Sequence, residues 1–255
     1  MANKIPPTPE EPLTPRSRTP VGLIPLHTRY RMLIHKHEVP RKVLHVSIGF
    51  LTLWLYTLGV QLVQVTPVLV FLLVTIGTLD VLRFRSEAFS KVYVSAFGFL
   101  MRESEIDKWN GIVWYLIGLI VVFLVFPKDI SLLSVLLLSW TDTAASTVGR
   151  RFGHLTPKLA RNKSLAGSLA SFVCGVLAAY LLYGVIIPAT PQLNVGDYLA
   201  WTPETSRLSL PWLCLVAGAL GALSEAIDLY GLDDNLTIPV LSACFVTPLL
   251  YVLRV

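Results

Sequence analysis

The stretch ISLLSVLLLSWTDTAASTVGRR, residues 130–151, decides the fold. It opens as an apolar helix from Ile130 to Leu138, then turns small and polar, and ends on Arg150 and Arg151. A run of this length reaches across a bilayer, which needs about 20 mostly apolar residues. An unpaired aspartate at membrane depth costs roughly 2.5–3.5 kcal/mol. Asp142 therefore demands a cation, a partner or water. The stretch reads as a membrane span whose polar end carries chemistry.

Six comparable apolar runs lie around it, near 43–60, 65–82, 110–126, 165–187, 210–229 and 236–254. The composition agrees: 54% of residues are hydrophobic and only 15% charged, against roughly 25% charged in soluble domains. The mean hydropathy is +0.64. A soluble α-helical domain is excluded on these grounds. An eighth segment, 86–101, holds Ser86, Glu87, Ser90, Lys91 and Ser95 among its apolar positions and reads as an amphipathic helix lying at the membrane interface. The expected fold is an all-α, polytopic integral membrane protein with about seven transmembrane helices plus that interfacial helix. Residues 1–37 form a Pro-rich and basic leader, with prolines at 6, 7, 9, 12, 15 and 20, which predicts a disordered cytosolic tail. Residues 38–255 form one transmembrane domain.

Charge sets the orientation. With 86–101 not crossing, 18 of the 21 Lys and Arg fall on one side, and only Lys128, Arg207 and Arg254 fall on the other. If 86–101 crossed, the segment Arg150–Lys163 would change sides and the asymmetry would collapse. The positive-inside rule then predicts a cytosolic N-terminus, a lumenal loop at 188–209 and a lumenal C-terminus. The net charge of +5 is spent at the ends of apolar runs, so it implies a bilayer and no nucleic acid as partner. Cys174, Cys214 and Cys244 have neither metal-site nor disulfide spacing and read as packing residues. The sequons at Asn162 and Asn235 fall on the cytosolic side and are expected to be unglycosylated. An oligomer is possible but not readable from the sequence.

The candidate chemistry sits at that same side. Around Asp142, the small residues Ala144, Ala145, Ser146 and Gly149 admit a neighbouring backbone or a phosphate, and Arg150 and Arg151 can clamp phosphate oxygens. The same residues equally suit helix packing and a topology anchor. Lys163-Ser164-Leu165-Ala166-Gly167 leads from a basic loop into the next span. Ser164 can cap that helix, whose free N–H groups and dipole would make an anion site. A polybasic loop on anionic lipid is the alternative. Glu225 and Asp228 are three apart, on one face of a helix, and Asp233, Asp234 and Asn235 follow. Such carboxylates suit Mg²⁺, which takes one or two of them plus substrate phosphates; a solvated acidic turn is the alternative. Asp80 and Arg83 are an ion pair at a helix end or part of a site. Glu38, Arg41, Lys42 and His45 stand where the first span enters the membrane. Carboxylates with a metal and Lys/Arg are the equipment of phosphoryl or nucleotidyl transfer.

Taken together, Arg41-Lys42-x-x-His45, the Ser139–Gly153 stretch, Lys163-Ser164-x-x-Gly167-Ser168, Glu225-Ala226-x-Asp228 and Asp233-Asp234-Asn235-Leu236-Thr237-x-Pro239 resemble the fungal CTP-dependent diacylglycerol kinases, over about residues 38–254. These belong to a superfamily with dolichol and phytol kinases and phosphatidate cytidylyltransferase. The cytidylyltransferase pattern has a Lys and a Glu before the glycine where this chain has Lys163-Ser164-Leu165-Ala166-Gly167, and a longer Gly- and His-bearing ending. The resemblance implies transfer of the γ-phosphate of CTP to diacylglycerol, giving phosphatidate and CDP, with Mg²⁺ or another divalent cation such as Ca²⁺, in the endoplasmic reticulum membrane or nuclear envelope with the site on the cytosolic face. It further implies Asp142 with Glu225 or Asp234 as metal ligands and Arg41, Lys42, Arg150, Lys163 and Ser164 at the phosphates. Gly149, Gly153 and Gly167 would let the phosphates near the backbone, and Asp80 or Asp228 would orient or deprotonate the acceptor. The rivals are a cytidylyltransferase, a polyprenol or dolichol kinase, and a secondary transporter. Against the last, no internal repeat is visible and the charged clusters sit at one face, not the midplane.

Overall fold

The computed structural model describes residues 38–102, 105, 108–160, 163–229 and 231–255. The leader 1–37 and the sequon residue Asn162 lie outside the described residues. Eight helices of eight residues or more are seen among them: α1 Val39–Thr57, α2 Leu62–Arg85, α3 Glu87–Phe97, α4 Gly111–Val125, α5 Lys128–Leu155, α6 Leu165–Ala189, α7 Leu210–Ala226 and α8 Asp234–Val252. The described strands are a short antiparallel pair, β1 Lys158–Ala160 and β2 Lys163–Ser164, between α5 and α6. The chain is an all-α polytopic membrane protein, with a helix in each of the seven expected apolar runs.

Length and composition explain the parts. α2, α5, α6 and α8 are each long and apolar enough to cross a membrane, while α4 and α7 are apolar but shorter, at 15 and 17 residues. The most apolar stretch of α2 has no residue buried inside the protein, so it faces lipid. α5 is the opposite case: Ile130, Leu133 and Val135 to Leu138 are fully buried. A helix apolar all round belongs at the centre, and α5 is the axis about which α1, α4, α6, α7 and α8 pack. α3 has 11 residues, about 16 Å at 1.5 Å per residue, too short for a span. Ser86 caps it, accepting from the Phe89 N–H at 3.3 Å.

The chain enters and leaves α3 at one end of the bundle. Asp80 near the end of α2 accepts the Asn110 N–H at 2.7 Å and pairs with Arg83 at 3.1 Å, and Arg83 also donates to the Lys108 carbonyl. This buried lock ties α2 to the start of α4. The start of α1, the ends of α5 and α7 and the starts of α6 and α8 meet at the same end: Glu38 bridges Arg150, Lys163 bridges Glu225, and Asn235 donates to the Gly111 carbonyl. At the far end Lys128 pairs with Asp197, Arg254 donates to the Tyr198 hydroxyl, and buried Asp129 accepts the Ala200 and Trp201 N–H groups.

Two contacts fix the helices around α5. The Trp140 indole donates to the Val46 carbonyl at 3.2 Å, and its ring fills the space a Cβ would take at Gly49. α6 and α7 cross so closely that a Cβ on Gly218 would stand 2.7 Å from the Phe172 carbonyl oxygen and 3.0 Å from the Val176 nitrogen. Backbone cannot yield as a side chain can. Gly218→Ala is therefore expected to destabilise the protein by about 1–3 kcal/mol, as overpacking does, read as a lower midpoint of thermal unfolding in detergent. Gly77→Ala on α2 has nothing within 4 Å of the added methyl and is expected to leave that midpoint unchanged or raise it. Asp80→Ala removes the carboxylate from a buried guanidinium whose side chain is 1% exposed and is expected to cost about 3–5 kcal/mol in the same measurement.

Candidate active site

The end of the bundle that collects these helix termini also collects the charge. Lys163, on β2, extends its ammonium between Glu225 at the end of α7 (2.7 Å) and Asp234 at the start of α8 (3.2 Å). Asp142 of α5 lies within electrostatic reach of all three. Burial works against the Lys163 ammonium, but Asp234 and Glu225 outweigh it and hold its pKa above the ordinary lysine value. Three carboxylates from three helices thus face one cation.

The local sequence explains how each arrives. Asp142 follows a π-helical turn, Leu137–Thr141, a distortion that often marks functional sites. Glu225 is in the last turn of α7 and 4% exposed. Asp233 caps α8 by accepting the Asn235 N–H at 2.9 Å, and burial pushes its own carboxyl pKa up. That cap sets Asp234 as the first residue of the helix.

Beside the triad a cleft is lined by Glu38, Lys42, Arg102, Asp142, Thr143 and Ser146, with Arg41 and His45 at its inner edge. Lys42 donates to the Thr147 hydroxyl at 3.0 Å. Arg41 pairs with Glu105, and both are buried. Glu38 is left-handed, with φ 50° and ψ 35°, which costs a non-glycine residue about 1–2 kcal/mol. Salt bridges to Arg102 (3.4 Å) and Arg150 (3.0 Å) hold it there. Burial opposes its charge, yet Arg102, Arg150 and Arg41 prevail and lower its pKa below the usual glutamate value.

Several expected site residues have other work. Asp80 has both oxygens taken, by Arg83 and the Asn110 N–H, which is the ion-pair reading of that position. Asp228 is not on a helical face with Glu225: α7 stops at Ala226, Ile227 is extended, and exposed Asp228 accepts the Gly231 N–H in the following turn. Gly149, Gly153 and Gly167 form the seam where α5 packs on α6. A Cβ at Gly153 would lie 2.8 Å from the Ser164 oxygen, and one at Gly167 would lie 2.9 Å from the Ala145 carbonyl. Ser164 does cap α6, accepting from the Gly167 N–H. The anion site expected at that helix start is closed, because the Leu165 N–H goes to the Pro157 carbonyl and the Ala166 N–H to the Thr156 hydroxyl.

Sequence reasoning missed Arg102, Glu105 and Asn110. All three lie in the short link between α3 and α4, where Arg102 and Lys108 counted only as topology signals. A carboxylate 4% exposed in such a link was detectable only through its partner, Arg41.

The arrangement can bind a phosphate chain through side-chain cations and a divalent ion through carboxylates. Among the described residues no three His, Cys, Asp or Glu side chains stand close enough to hold a metal by themselves. The residues nevertheless fit Mg²⁺: an ammonium already occupies a cation position between two carboxylates, and this ion needs only one or two of them when phosphates complete its shell.

Comparison with known proteins agrees with this equipment. No protein-family model matches the chain, and no solved structure matches it. The chain is 50% identical over 219 residues to CTP-dependent diacylglycerol kinase 1 of Saccharomyces cerevisiae, covering 86% of this chain and 76% of that one. It is 51% identical over 209 residues to CTP-dependent diacylglycerol kinase 1 of Schizosaccharomyces pombe, covering 82% and 92%. A probable chloroplastic phytol kinase of Triticum aestivum is 32% identical over 133 residues, 51% of this chain and 41% of that one. With half its residues shared over most of both fungal chains, the protein belongs to the CTP-dependent diacylglycerol kinase family and is an enzyme of the kinase class.

Proposed function

We propose that the protein transfers the γ-phosphate of CTP to the hydroxyl of diacylglycerol, giving phosphatidate and CDP. The observation that carries this reading is the meeting of Glu225 and Asp234 at Lys163, with Asp142 in electrostatic reach, beside a cleft lined by Lys42, Arg102 and the Glu38 that pairs with Arg150. Phosphoryl transfer is mainly positioning and charge stabilisation, and these groups supply both. Lys42 and Arg150 reach the phosphate oxygens, Arg150 exchanging Glu38 for them. Arg41, held by Glu105, fixes the start of α1 at the cleft. Asp142 with Glu225 or Asp234 would hold Mg²⁺, which when bound neutralises charge on the transferring phosphates. Lys163 then turns its ammonium to a phosphate oxygen. The acceptor oxygen attacks the γ-phosphorus in line as the bond to the CDP oxygen breaks. A transition-state role for these side chains explains why they are gathered where apolar spans end.

The same reading assigns the site to the cytosolic face of the endoplasmic reticulum membrane and nuclear envelope, because the end of the bundle that holds the site carries the excess of Lys and Arg. It leaves Asn235 on that face as well. Asn235 is 2% exposed and donates to the Gly111 carbonyl, so its amide is inaccessible to a glycosyltransferase. Expression in a glycosylating host is expected to give no endoglycosidase-sensitive shift in mass; a glycan there would reverse the topology.

A product assay on the purified protein in mixed micelles tests the reaction. With diacylglycerol, Mg²⁺ and CTP labelled separately at the α and γ positions, γ-label is expected in phosphatidate. Asp142→Asn is expected to lower kcat by a factor of about 10²–10³, the loss typical of one removed transition-state charge contact. Incorporation of α-label from CTP when phosphatidate is supplied would assign the protein as a cytidylyltransferase. The similarity to a phytol kinase makes isoprenoid alcohols the other acceptors to include.

A further inference from the structure

Asp80 has both oxygens taken, and exposed Asp228 lines neither the charged cleft nor the groove described next; the acceptor must still reach the γ-phosphate from the lipid side. A second groove answers both needs. It runs between the first turns of α1 and α4 under Leu100, and its walls are Leu44, Ile48, Leu100, Ile112 and Tyr115. Arg41 and His45 line it too, and both also line the charged cleft beside Asp142. The apolar groove and the charged cleft therefore meet at these two side chains. Arg41 is taken by Glu105. His45 is 7% exposed, its ring rests edge-on against Tyr115 at 5.2 Å, and its Nδ1 has no hydrogen-bond partner.

A buried imidazole nitrogen without a partner is costly, and a hydroxyl donated to it removes that cost. The polar side of this junction faces phosphate-binding cations and its other side is apolar. A molecule that fits both has one hydroxyl and a hydrocarbon body.

Resting on the reading above that the acceptor is a membrane alcohol, we propose that the α1–α4 groove is the acceptor-lipid site and that His45 is its catalytic base. The glycerol backbone and the first methylenes of a diacylglycerol lie along Leu44, Ile48 and Ile112. The hydroxyl donates to His45 Nδ1. As its oxygen bonds to the γ-phosphorus and the bond to the CDP oxygen breaks, the hydroxyl proton passes to Nδ1. The imidazolium then returns that proton to water, and the neutral ring is ready for the next acceptor. Tyr115, whose hydroxyl is within 3.3 Å of the Ser139 oxygen, holds the imidazole plane.

Two experiments on the full-length protein in mixed micelles test this. The first measures transfer from γ-labelled CTP by wild type, His45→Ala and His45→Gln. The kcat of both variants is expected to fall by a factor of about 10²–10⁴, the usual share of general-base catalysis, with KM for CTP unchanged. Added imidazole is expected to restore part of the rate to His45→Ala, which a packing role would not allow. Unchanged kcat in His45→Gln, or loss in His45→Ala with no imidazole rescue, overturns the base assignment. The second maps a photoactivatable diacylglycerol by mass spectrometry. Label competed by plain diacylglycerol is expected on residues 44–48 and 112–115, and label confined to other segments overturns the groove. This arm needs no turnover. If wild type transfers no phosphate to diacylglycerol yet the groove is labelled, the proposed reaction fails and the lipid site stands.

Discussion

The structure turns on the ammonium of Lys163. Carboxylates brought by α5, α7 and α8 into electrostatic reach of one another repel, by about 4 kcal/mol for a pair 4 Å apart at an effective dielectric near 20. A cation between them reverses that sign. Delivering it constrains a long piece of chain. The β1–β2 pair sets Ser164 opposite Lys158 and Lys163 opposite Ala160. Ser164 starts α6 and fills the hollow between Gly149, Gly153 and Gly167. α6 so placed meets α7 at the tight crossing of Gly175 with Gly218, and that crossing sets where the last turn of α7, with Glu225, comes to rest. One electrostatic need thus propagates through a cap, a seam of small residues and a helix crossing.

α5 supplies the fixed reference for this. Its first half is buried hydrocarbon that could sit only at the centre, and its second half is the polar wall of the site. The π-helical turn separates the two and shifts the register so that Trp140 faces α1 while Asp142 faces Lys163. Through the Trp140–Gly49 contact α1 is pinned at a height that puts Arg41, Lys42 and His45 beside Asp142. The far end works differently. Asp129 is as buried as Asp80, but backbone N–H groups and the Tyr183 hydroxyl satisfy it. It secures the 190–209 connection.

Helices were legible in the sequence because each is a long apolar run, and hydrocarbon admits only backbones that satisfy themselves. The non-crossing α3 was legible from charge sorting. The convergence of Asp142, Lys163, Glu225 and Asp234 was legible as residue types at helix ends facing one side, though not as contacts. What failed did so for local reasons. Asp228 was read as helical because the periodicity continues past Ala226, but Ile227 turns extended and the carboxylate caps its own turn. The glycines around Gly149 fit phosphate approach and helix packing equally as sequence; only the neighbouring Ser164 distinguishes them. Glu105 pairs across 64 positions with Arg41, and no periodicity encodes such a partner.

The helix start at Ser164 is unlike that of a phosphate-binding loop. In Gly-rich phosphate loops the backbone N–H groups at a helix N-terminus cradle the anion. Here the N–H groups of Leu165, Ala166 and Gly167 are occupied by Pro157, Thr156 and Ser164, and those of Asn235, Leu236 and Thr237 at the start of α8 are taken by Asp233. At these two helix starts most of the backbone donors that such a loop would offer are already used. The side-chain cations at this end are paired with carboxylates, Arg150 with Glu38 and Lys163 with Glu225 and Asp234. A site of that kind keeps its charge neutralised. At the edge of a bilayer, where an unpaired charge is expensive, that is the condition under which so many ionised groups can share one end of a helical bundle.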